Sequence, residues 1–274
     1  MRSLFVFLAF VLSSGHSFAQ NLYDLNHSHE FATYLYKSNQ YELAAIEFER
    51  LLFLKPQNDT FKISLIKSYA LNKDYTIAIN RLNGFAANPT ELPENLSDLY
   101  AFNLLADRQF KTAIEYLNQN RTLTFERVMF YRSFSNLFQK KYANVLLDLD
   151  TIKPLPESLI TLKAFAETGN ALPHKSPFLA GAFSTIIPGS GKFCTGDWKD
   201  GIISLVMVSA IAYQAYRGFD RTGVSSVYGW IYGTIAAGFY LGNIYGSVKS
   251  AQRYNKRKAE NLGKRIEESF YLRP

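Results

Sequence analysis

The stretch that decides the fold is Lys37-Ser38-Asn39-Gln40-Tyr41, together with three later copies of its pattern. The copies are residues 71–75 (LNKDY), 106–110 (ADRQF) and 138–142 (FQKKY). Each copy is a polar turn that ends in an aromatic residue, and the four aromatic residues lie 34, 35 and 32 residues apart. A repeat of this length is typical of stacked helical hairpins, which share one continuous core.

The residues that follow each aromatic residue also repeat. A small residue comes three positions later, at Ala44, Ala78, Ala113 and Val145, and a large apolar residue four beyond it, at Phe48, Leu82, Leu117 and Leu149. This spacing places the three positions on one helix face. Proline, which ends helices, follows three of the units, at Pro56, Pro89 and Pro154. The sequence therefore predicts four helical hairpins.

On these residues the segment 21–154 resembles the tetratricopeptide repeat family, best in the first unit, with Ala32, Tyr41, Ala44, Phe48 and Pro56. The resemblance implies an all-α solenoid whose first helices line a groove for an extended peptide or a partner helix. The groove positions that it implies are His29, Thr33, Tyr36, Lys67, Asp98, Phe102, Phe130 and Phe134. The alternative role for the aromatic residues among them is packing between hairpins. A capping helix over 157–168 would close the repeat domain at residue 170.

The first 19 residues predict a secretory signal, with the alternative of an uncleaved signal anchor. Arg2 precedes an apolar run over 4–12, and Ser17-Phe18-Ala19 offers small residues at a cleavage point. The run is too short to cross a hydrocarbon core of about 30 Å comfortably. We therefore expect the repeat domain, residues 20–170, to lie outside the cytoplasm of a bacterium.

Charge and hydropathy divide the rest of the chain. Mean hydropathy is near neutral, at −0.10, because charged residues are dense over 21–175 while 177–248 is mostly apolar. The formal net charge of +7 is concentrated in residues 249–274, which hold eight basic and three acidic side chains. A basic tail beside a membrane segment sets topology or contacts anionic headgroups. No groove-reading motif accompanies it, so nucleic acid is not an expected partner.

Residues 171–248 predict a glycine-rich transmembrane hairpin domain. Residues 201–216 and 224–248 are uncharged runs with aromatic residues near their ends. The second run carries small residues four apart, at Gly229, Gly233, Gly238, Gly242 and Gly246. Such a stripe allows close approach of another helix, which would be 201–216 or the same helix of a second copy.

A glycine-rich turn precedes these runs. Its motif residues are Pro188, Gly189, Gly191, Cys194, Gly196, Asp197 and Gly201. The segment resembles the TM2-like and DUF5683-like bacterial membrane domains at Ser184, Pro188, Gly189, Gly191, Gly196 and Gly201. Cys194 stands where those families usually have tyrosine, and they bring no established activity. We expect a re-entrant or hairpin turn at the membrane surface, with Asp197, Lys199 and Asp200 among the headgroups. The alternative is a polar lipid or ion site of Lys192, Asp197 and Asp200.

Two topologies follow from these segments. With two crossings, a periplasmic repeat domain places the basic tail in the periplasm, against the positive-inside tendency. If 177–196 also crosses as a broken helix, the tail becomes cytoplasmic. The charge of the tail favours the second arrangement.

The sequence offers no catalytic motif, and neither a cofactor nor a metal site is expected. The four histidines are dispersed, the single cysteine excludes an internal disulfide, and no nucleophile or paired carboxylates stand in a recognisable context. We therefore expect a non-enzymatic scaffold at the bacterial inner membrane that binds a protein or peptide partner in the periplasm. The alternative is a membrane domain that assists insertion or assembly of membrane proteins, or that binds lipid.

Overall fold

The computed structural model of the chain describes residues 24–272. This range forms thirteen α-helices and contains no β-strand, so the all-α prediction is confirmed. The predicted signal segment, residues 1–19, lies outside the described residues. The chain divides into two compact units, the first ending at Val128 and the second beginning at Met129.

Three helical hairpins make up the first unit. Their helices are α1 (Leu25–Lys37) and α2 (Tyr41–Leu54), α3 (Asp59–Leu71) and α4 (Tyr75–Asn83), and α5 (Glu94–Ala106) and α6 (Phe110–Gln119). Each helix packs against the next one in the chain, and α3 also contacts α5. A fourth hairpin, α7 (Phe125–Phe138) and α8 (Tyr142–Asp150), starts at the end of this unit and continues in the second.

The predicted repeat turn is one backbone motif that occurs four times. Each turn has a non-glycine residue in the left-handed region, at Asn39, Lys73, Arg108 and Lys140, with φ between 58° and 66°. The next N–H reaches back over the helix end, as when Gln40 donates to the carbonyl of Leu35 at 2.9 Å. Equivalent bonds join Asp74 to Tyr69, Gln109 to Leu104 and Lys141 to Asn136. This is the Schellman arrangement, which satisfies the last carbonyl groups of a helix.

The repeated apolar positions form the core, as the sequence predicts. The small residues Ala44, Ala78, Ala113 and Val145 are fully buried, and the large ones, Phe48, Leu82, Leu117 and Leu149, are at most 2 % exposed. Burying a Leu or Phe side chain contributes about 1.5–3 kcal/mol. The periodicity seen in the sequence thus corresponds to the residues that stabilise the hairpins.

The second unit continues with α9 (Glu157–Asn170), α10 (Pro177–Ile186), α11 (Ser190–Cys194), α12 (Trp198–Thr222) and α13 (Val227–Tyr271). The predicted capping helix is therefore present as α9. A short 3₁₀ turn over Gly223–Ser225 joins α12 to α13. The 45 residues of α13 form one uninterrupted helix, about 68 Å long at 1.5 Å per residue.

The basic segment predicted as a tail is the second half of α13. Leu262, Ile266 and Phe270 are buried, and the ring of Phe270 lies 5.1 Å from that of Phe134 and 5.2 Å from that of Phe138. These three buried residues are spaced four apart and form one apolar helix face among charged neighbours. The net charge of the segment hid this pattern, so the sequence predicted a boundary at residue 249 inside a continuous helix.

Within residues 24–272 one helix is long and apolar enough to cross a membrane, and it covers Trp198–Ser225. The other predicted crossing, residues 224–248, does not reach the same hydropathy. Its tyrosines, its glycines and Asn243 lower the average although the stretch is uncharged.

Candidate functional site

The residues predicted to line a partner groove divide by burial. His29 is exposed, while Thr33, Tyr36, Lys67 and Asp98 are half-buried. In contrast, Phe102 and Phe130 are 4 % exposed and Phe134 is fully buried. Buried rings cannot contact a partner without rearrangement, so these three phenylalanines are packing residues and the groove assignment is corrected for them.

Asp98 is half-buried but its charge is already paired. Nε of Arg127 donates to the Asp98 carboxylate at 2.6 Å, and Nη2 donates to the second carboxylate oxygen. A bidentate guanidinium–carboxylate pair of this kind is specific in geometry. It leaves Lys67, His29 and Tyr36 as the charged or ionisable groove candidates of the first unit that have accessible surface.

The first helix presents the most accessible part of the predicted groove. His29 and Thr33 line an open hollow of 450 Å³ together with Tyr34. The His29 ring lies 5.2 Å from the ring of Phe61. The Tyr36 ring meets Tyr41 edge-on at 5.7 Å, and burial raises the pKa of the Tyr36 hydroxyl. This surface combines hydrogen-bonding groups with aromatic rings, as peptide-binding surfaces do.

The glycine-rich turn is built on close backbone contacts. Gly189 has φ of +88°, and a Cβ placed there would lie 2.1 Å from the carbonyl oxygen of Gly201. A Cβ on Gly191 would lie 1.9 Å from the carbonyl oxygen of Ala180. Gly196 also has a positive φ, of +86°. These contacts require glycine, because any side chain would collide with backbone atoms or strain the turn.

Buried hydroxyl groups attach the turn to α13. Ser184 of α10 accepts from the N–H of Gly191 at 3.0 Å and donates to Ser247 of α13 at 2.7 Å. On the α11 side, the hydroxyls of Thr195 and Ser250 lie 2.5 Å apart. Sequence reasoning missed Ser247 and Ser250. For Ser247 the available signal was the cost of a polar residue in an apolar run, which usually marks a required partner.

The segment from α10 to α11 reverses direction. Both helices contact α13, through Ser184 against Ser247 and Thr195 against Ser250. The charge of the basic tail favoured a topology in which this segment crosses the bilayer as a broken helix. Such a helix would continue in one direction. The backbone forms a hairpin turn here, one of the two forms expected for the glycine motif.

Asp197, which was expected among the headgroups, pairs with residues of α13. It accepts from the Ser250 hydroxyl, and its carboxylate lies 3.9 Å from Arg253 and 3.7 Å from Arg257. Lys192 donates instead to Ser204 of α12, at 2.8 Å, and Asp200 is exposed. The three residues of the alternative lipid or ion site therefore have separate surroundings and do not form one cluster.

The predicted glycine stripe serves helix packing at its ends only. A Cβ on Gly218 of α12 would lie 2.6 Å from the backbone of Gly229, and one on Gly229 would lie 2.8 Å from the Phe219 ring. Near the other end, a Cβ on Gly246 would meet Lys192 at 3.4 Å. At Gly233 the nearest atom is 3.8 Å away, and at Gly238 and Gly242 nothing lies within 4 Å. The middle of the stripe is therefore open.

No metal centre is formed within residues 24–272, where no three His, Cys, Asp or Glu side chains gather. The thiol of Cys194 is free and exposed. No protein-family model matches the chain, and comparisons with curated proteins and with solved structures give no match. Function is therefore inferred from the geometry of the helices themselves.

Proposed function

We propose that this chain is a membrane-anchored scaffold of the bacterial inner membrane. Hairpins of tetratricopeptide type offer their first helices to a protein or peptide partner, and α12 with the first half of α13 holds them at the bilayer. The recurring Schellman turn and the buried small residue that follows it support the repeat assignment. The outward-facing apolar residues of α12 and α13 support the anchor.

The observation that carries the proposal is the structure of α13. In its first half large apolar side chains are exposed, with Ile231 at 54 % and Leu241 at 64 %. In its second half Ile266 and Phe270 are buried, and the Phe270 ring packs against Phe134 and Phe138 of the fourth hairpin. Exposed apolar surface of this extent is unfavourable in water and is stable in hydrocarbon. One rigid helix would then join a bilayer segment to a repeat.

The exposed apolar side chains of α12 support the same placement. Ile203 is 60 % exposed and Val206 58 % exposed, and Trp198 begins the helix where interfacial aromatic residues are favoured. In this placement α12 and α13 cross the bilayer and the α10–α11 turn enters and leaves on one side. The repeats and the basic half of α13 then share that side.

The predicted signal segment makes the periplasm the proposed compartment of the repeats. The basic half of α13 would then also lie outside, against the positive-inside tendency. The pairing of Asp197 with Arg253 and Arg257 lowers the net charge that would oppose this orientation.

Labelling of cysteines in intact cells tests the proposed topology. Cys194 is exposed and is the single native cysteine, so a membrane-impermeant maleimide reports its side directly. We expect labelling of Cys194 and, in a Cys194→Ser background, of Glu268→Cys, whereas Val224→Cys reacts only after permeabilisation. Labelling of Val224→Cys alone would reverse the proposed orientation. Different results at 194 and 268 would exclude two crossings.

Site-specific photocrosslinking tests the partner surface. A photoreactive phenylalanine in place of Lys67, on the predicted groove helix α3, should give a discrete crosslinked product in cells. The matched control replaces Asn80, an exposed residue of the second helix of the same hairpin. Products of equal yield at both positions, or products at Asn80 alone, would contradict binding in the groove.

A further inference from the structure

An open cavity of 500 Å³ lies between α12 and α13, in the middle of the glycine stripe. Its volume is within the range of small-molecule sites, about 300–1,000 Å³. Gly238 and Gly242 form part of its wall, and the absence of side chains at these two positions keeps it open. None of the residues that line it belongs to the predicted groove, so it adds a site that the scaffold proposal does not use.

One end of the cavity is polar and incompletely satisfied. Asn243 is 5 % exposed and lines the cavity, and neither its amide nitrogen nor its amide oxygen has a hydrogen-bond partner. Buried polar groups almost always have partners, so an orphaned amide of this kind calls for an explanation. A ligand bound in the cavity would supply the missing hydrogen-bond partners.

Lys192 adds a positive charge at the same end. Its ammonium donates to Ser204 at 2.8 Å and lies 3.6 Å from the position of a Cβ on Gly246, one turn of α13 beyond Asn243. Among the described residues no carboxylate pairs with it, and no acidic side chain lines the cavity. Since Ser204 accepts from Lys192, its own hydroxyl proton can be donated to a further acceptor.

The rest of the cavity is an apolar channel. Along α13 the lining runs from Asn243 through Phe239 to Ile235, eight residues or about 12 Å at 1.5 Å per residue. Met207 and Val208 of α12 form the facing wall. The cavity is therefore polar at one end and apolar along its length.

We propose that this cavity binds an amphiphile with an anionic oxygen head and an acyl chain. The Lys192 ammonium, the Ser204 hydroxyl and the Asn243 amide donate to the carboxylate or phosphate oxygens. The chain lies in the channel against Met207 and Phe239. A cation is opposed by the charge of Lys192, and the apolar side chains of a second helix would leave the Asn243 amide unsatisfied.

Native mass spectrometry of the full chain in a neutral detergent tests this proposal with three probes: oleate, phosphatidylglycerol and phosphatidylcholine. We expect at least one of the two anionic probes to bind at least tenfold more tightly than phosphatidylcholine. Lys192→Gln should weaken that binding at least tenfold. Lys199→Gln is the matched control, because it removes the same charge from an exposed side chain nearby and should change nothing. Equal losses in both variants would show attraction to surface charge and overturn the site.

A cavity-filling variant tests the channel. Gly242→Leu adds a side chain where nothing lies within 4 Å, so it should abolish binding without lowering the thermal unfolding temperature of the protein. Retained binding in this variant would overturn the proposal, and so would displacement of the lipid by millimolar inorganic phosphate. Binding of oleate alone would identify a fatty acid, and binding of phosphatidylglycerol alone an anionic phospholipid.

The remaining outcomes also decide between occupants. A wild-type protein that binds no lipid but is dimeric, and becomes monomeric in Gly242→Leu, would assign the open stripe to a second copy. A wild-type protein that neither binds lipid nor dimerises would leave the cavity without a function and overturn the proposal. Neither result affects the anchor, since labelling of Cys194 tests it separately.

Discussion

The repeat hairpins and the glycine-rich hairpin use helices in opposite ways. In the hairpins of the first unit, large side chains such as Leu82 and Leu117 point inward and are at most 2 % exposed. In α12 and the first half of α13, large side chains such as Val206 and Leu241 point outward, and helices meet through the backbone at Gly218 and Gly229. The comparison shows that apolar content alone does not say which way a helix faces.

In the membrane placement proposed above, the two regions are also stabilised by different interactions. Burial of side chains in water stabilises the repeats. Between helices in hydrocarbon that driving force is absent, and close packing and hydrogen bonds replace it. The buried hydroxyl bridge from Ser184 to Ser247 and the backbone contact of Gly191 with Ala180 are of this second kind.

The largest expected effect comes from adding one methyl group to the glycine-rich turn. In Gly191→Ala the new Cβ would lie 1.9 Å from the carbonyl oxygen of Ala180, and backbone atoms cannot rotate away. We expect a loss of about 4 kcal/mol or more, in the range of the most damaging substitutions. Urea unfolding in neutral detergent, followed by circular dichroism, measures it.

Gly238→Ala is the matched control for this substitution. It adds the same methyl group to a helical glycine with nothing within 4 Å, and alanine favours helix over glycine by about 1 kcal/mol. The control should therefore be neutral or slightly stabilising. Equal stability of the two variants would show that the contact between Gly191 and Ala180 is not required.

The second largest difference in stability between the two regions is expected from truncating one apolar side chain in each. Leu82 is fully buried, so Leu82→Ala should lower the free energy of unfolding by about 3 kcal/mol. Val206 is 58 % exposed on α12, and Val206→Ala should cost less than about 0.5 kcal/mol in the same detergent. A loss at Val206 as large as that at Leu82 would mean that its side chain is buried in the folded protein.

Ionisation of a buried tyrosine probes the repeat core further. Burial raises the pKa of Tyr116 to about 12, above its value of about 10 in an unfolded chain. The folded state therefore keeps this proton to a higher pH than the unfolded chain does. The contribution of Tyr116 to the free energy of unfolding is complete below pH 10 and is lost as the pH rises to about 12. A difference of two pKa units corresponds to at most about 2.7 kcal/mol, and residual hydration makes about 2 kcal/mol the expected loss.

Comparison of variants at two pH values isolates this contribution. Between pH 9 and pH 11.5 the stability of Tyr116→Phe should fall less than that of the wild type, because the variant has no proton to lose there. Tyr34→Phe, which changes an exposed ring, should keep the dependence of the wild type. Identical pH profiles for wild type and Tyr116→Phe would show that this hydroxyl is hydrated in the folded state.

The sequence predicted the hairpins well because their signals are local. The turn, the buried Ala44 position and the helix-ending proline all lie within one repeat of about 34 residues. The alignment of α13 with α10 and α11 was not predictable, since Ser184 and Ser247 are 63 residues apart and carry no periodic signal. For Phe102, Phe130 and Phe134 the sequence left groove lining and packing as alternatives, because the two kinds of position share one helix face. Asn243 was visible as a polar residue in an apolar run, but its missing partner is a property of the fold.

The smallest expected effect concerns the repeat turn itself. Lys73 has φ of +66° in its Schellman turn, a conformation that costs a side chain about 1 kcal/mol and that glycine adopts freely. Lys73→Gly should therefore stabilise the protein by up to about 1 kcal/mol in urea unfolding. Lys67→Gly, in the interior of α3, should destabilise it by a similar amount because helical glycine is unfavourable. Opposite signs at two lysines six residues apart would show that backbone conformation, and not lysine itself, sets the effect. A loss at both positions would mean that the turn does not hold the left-handed conformation in solution.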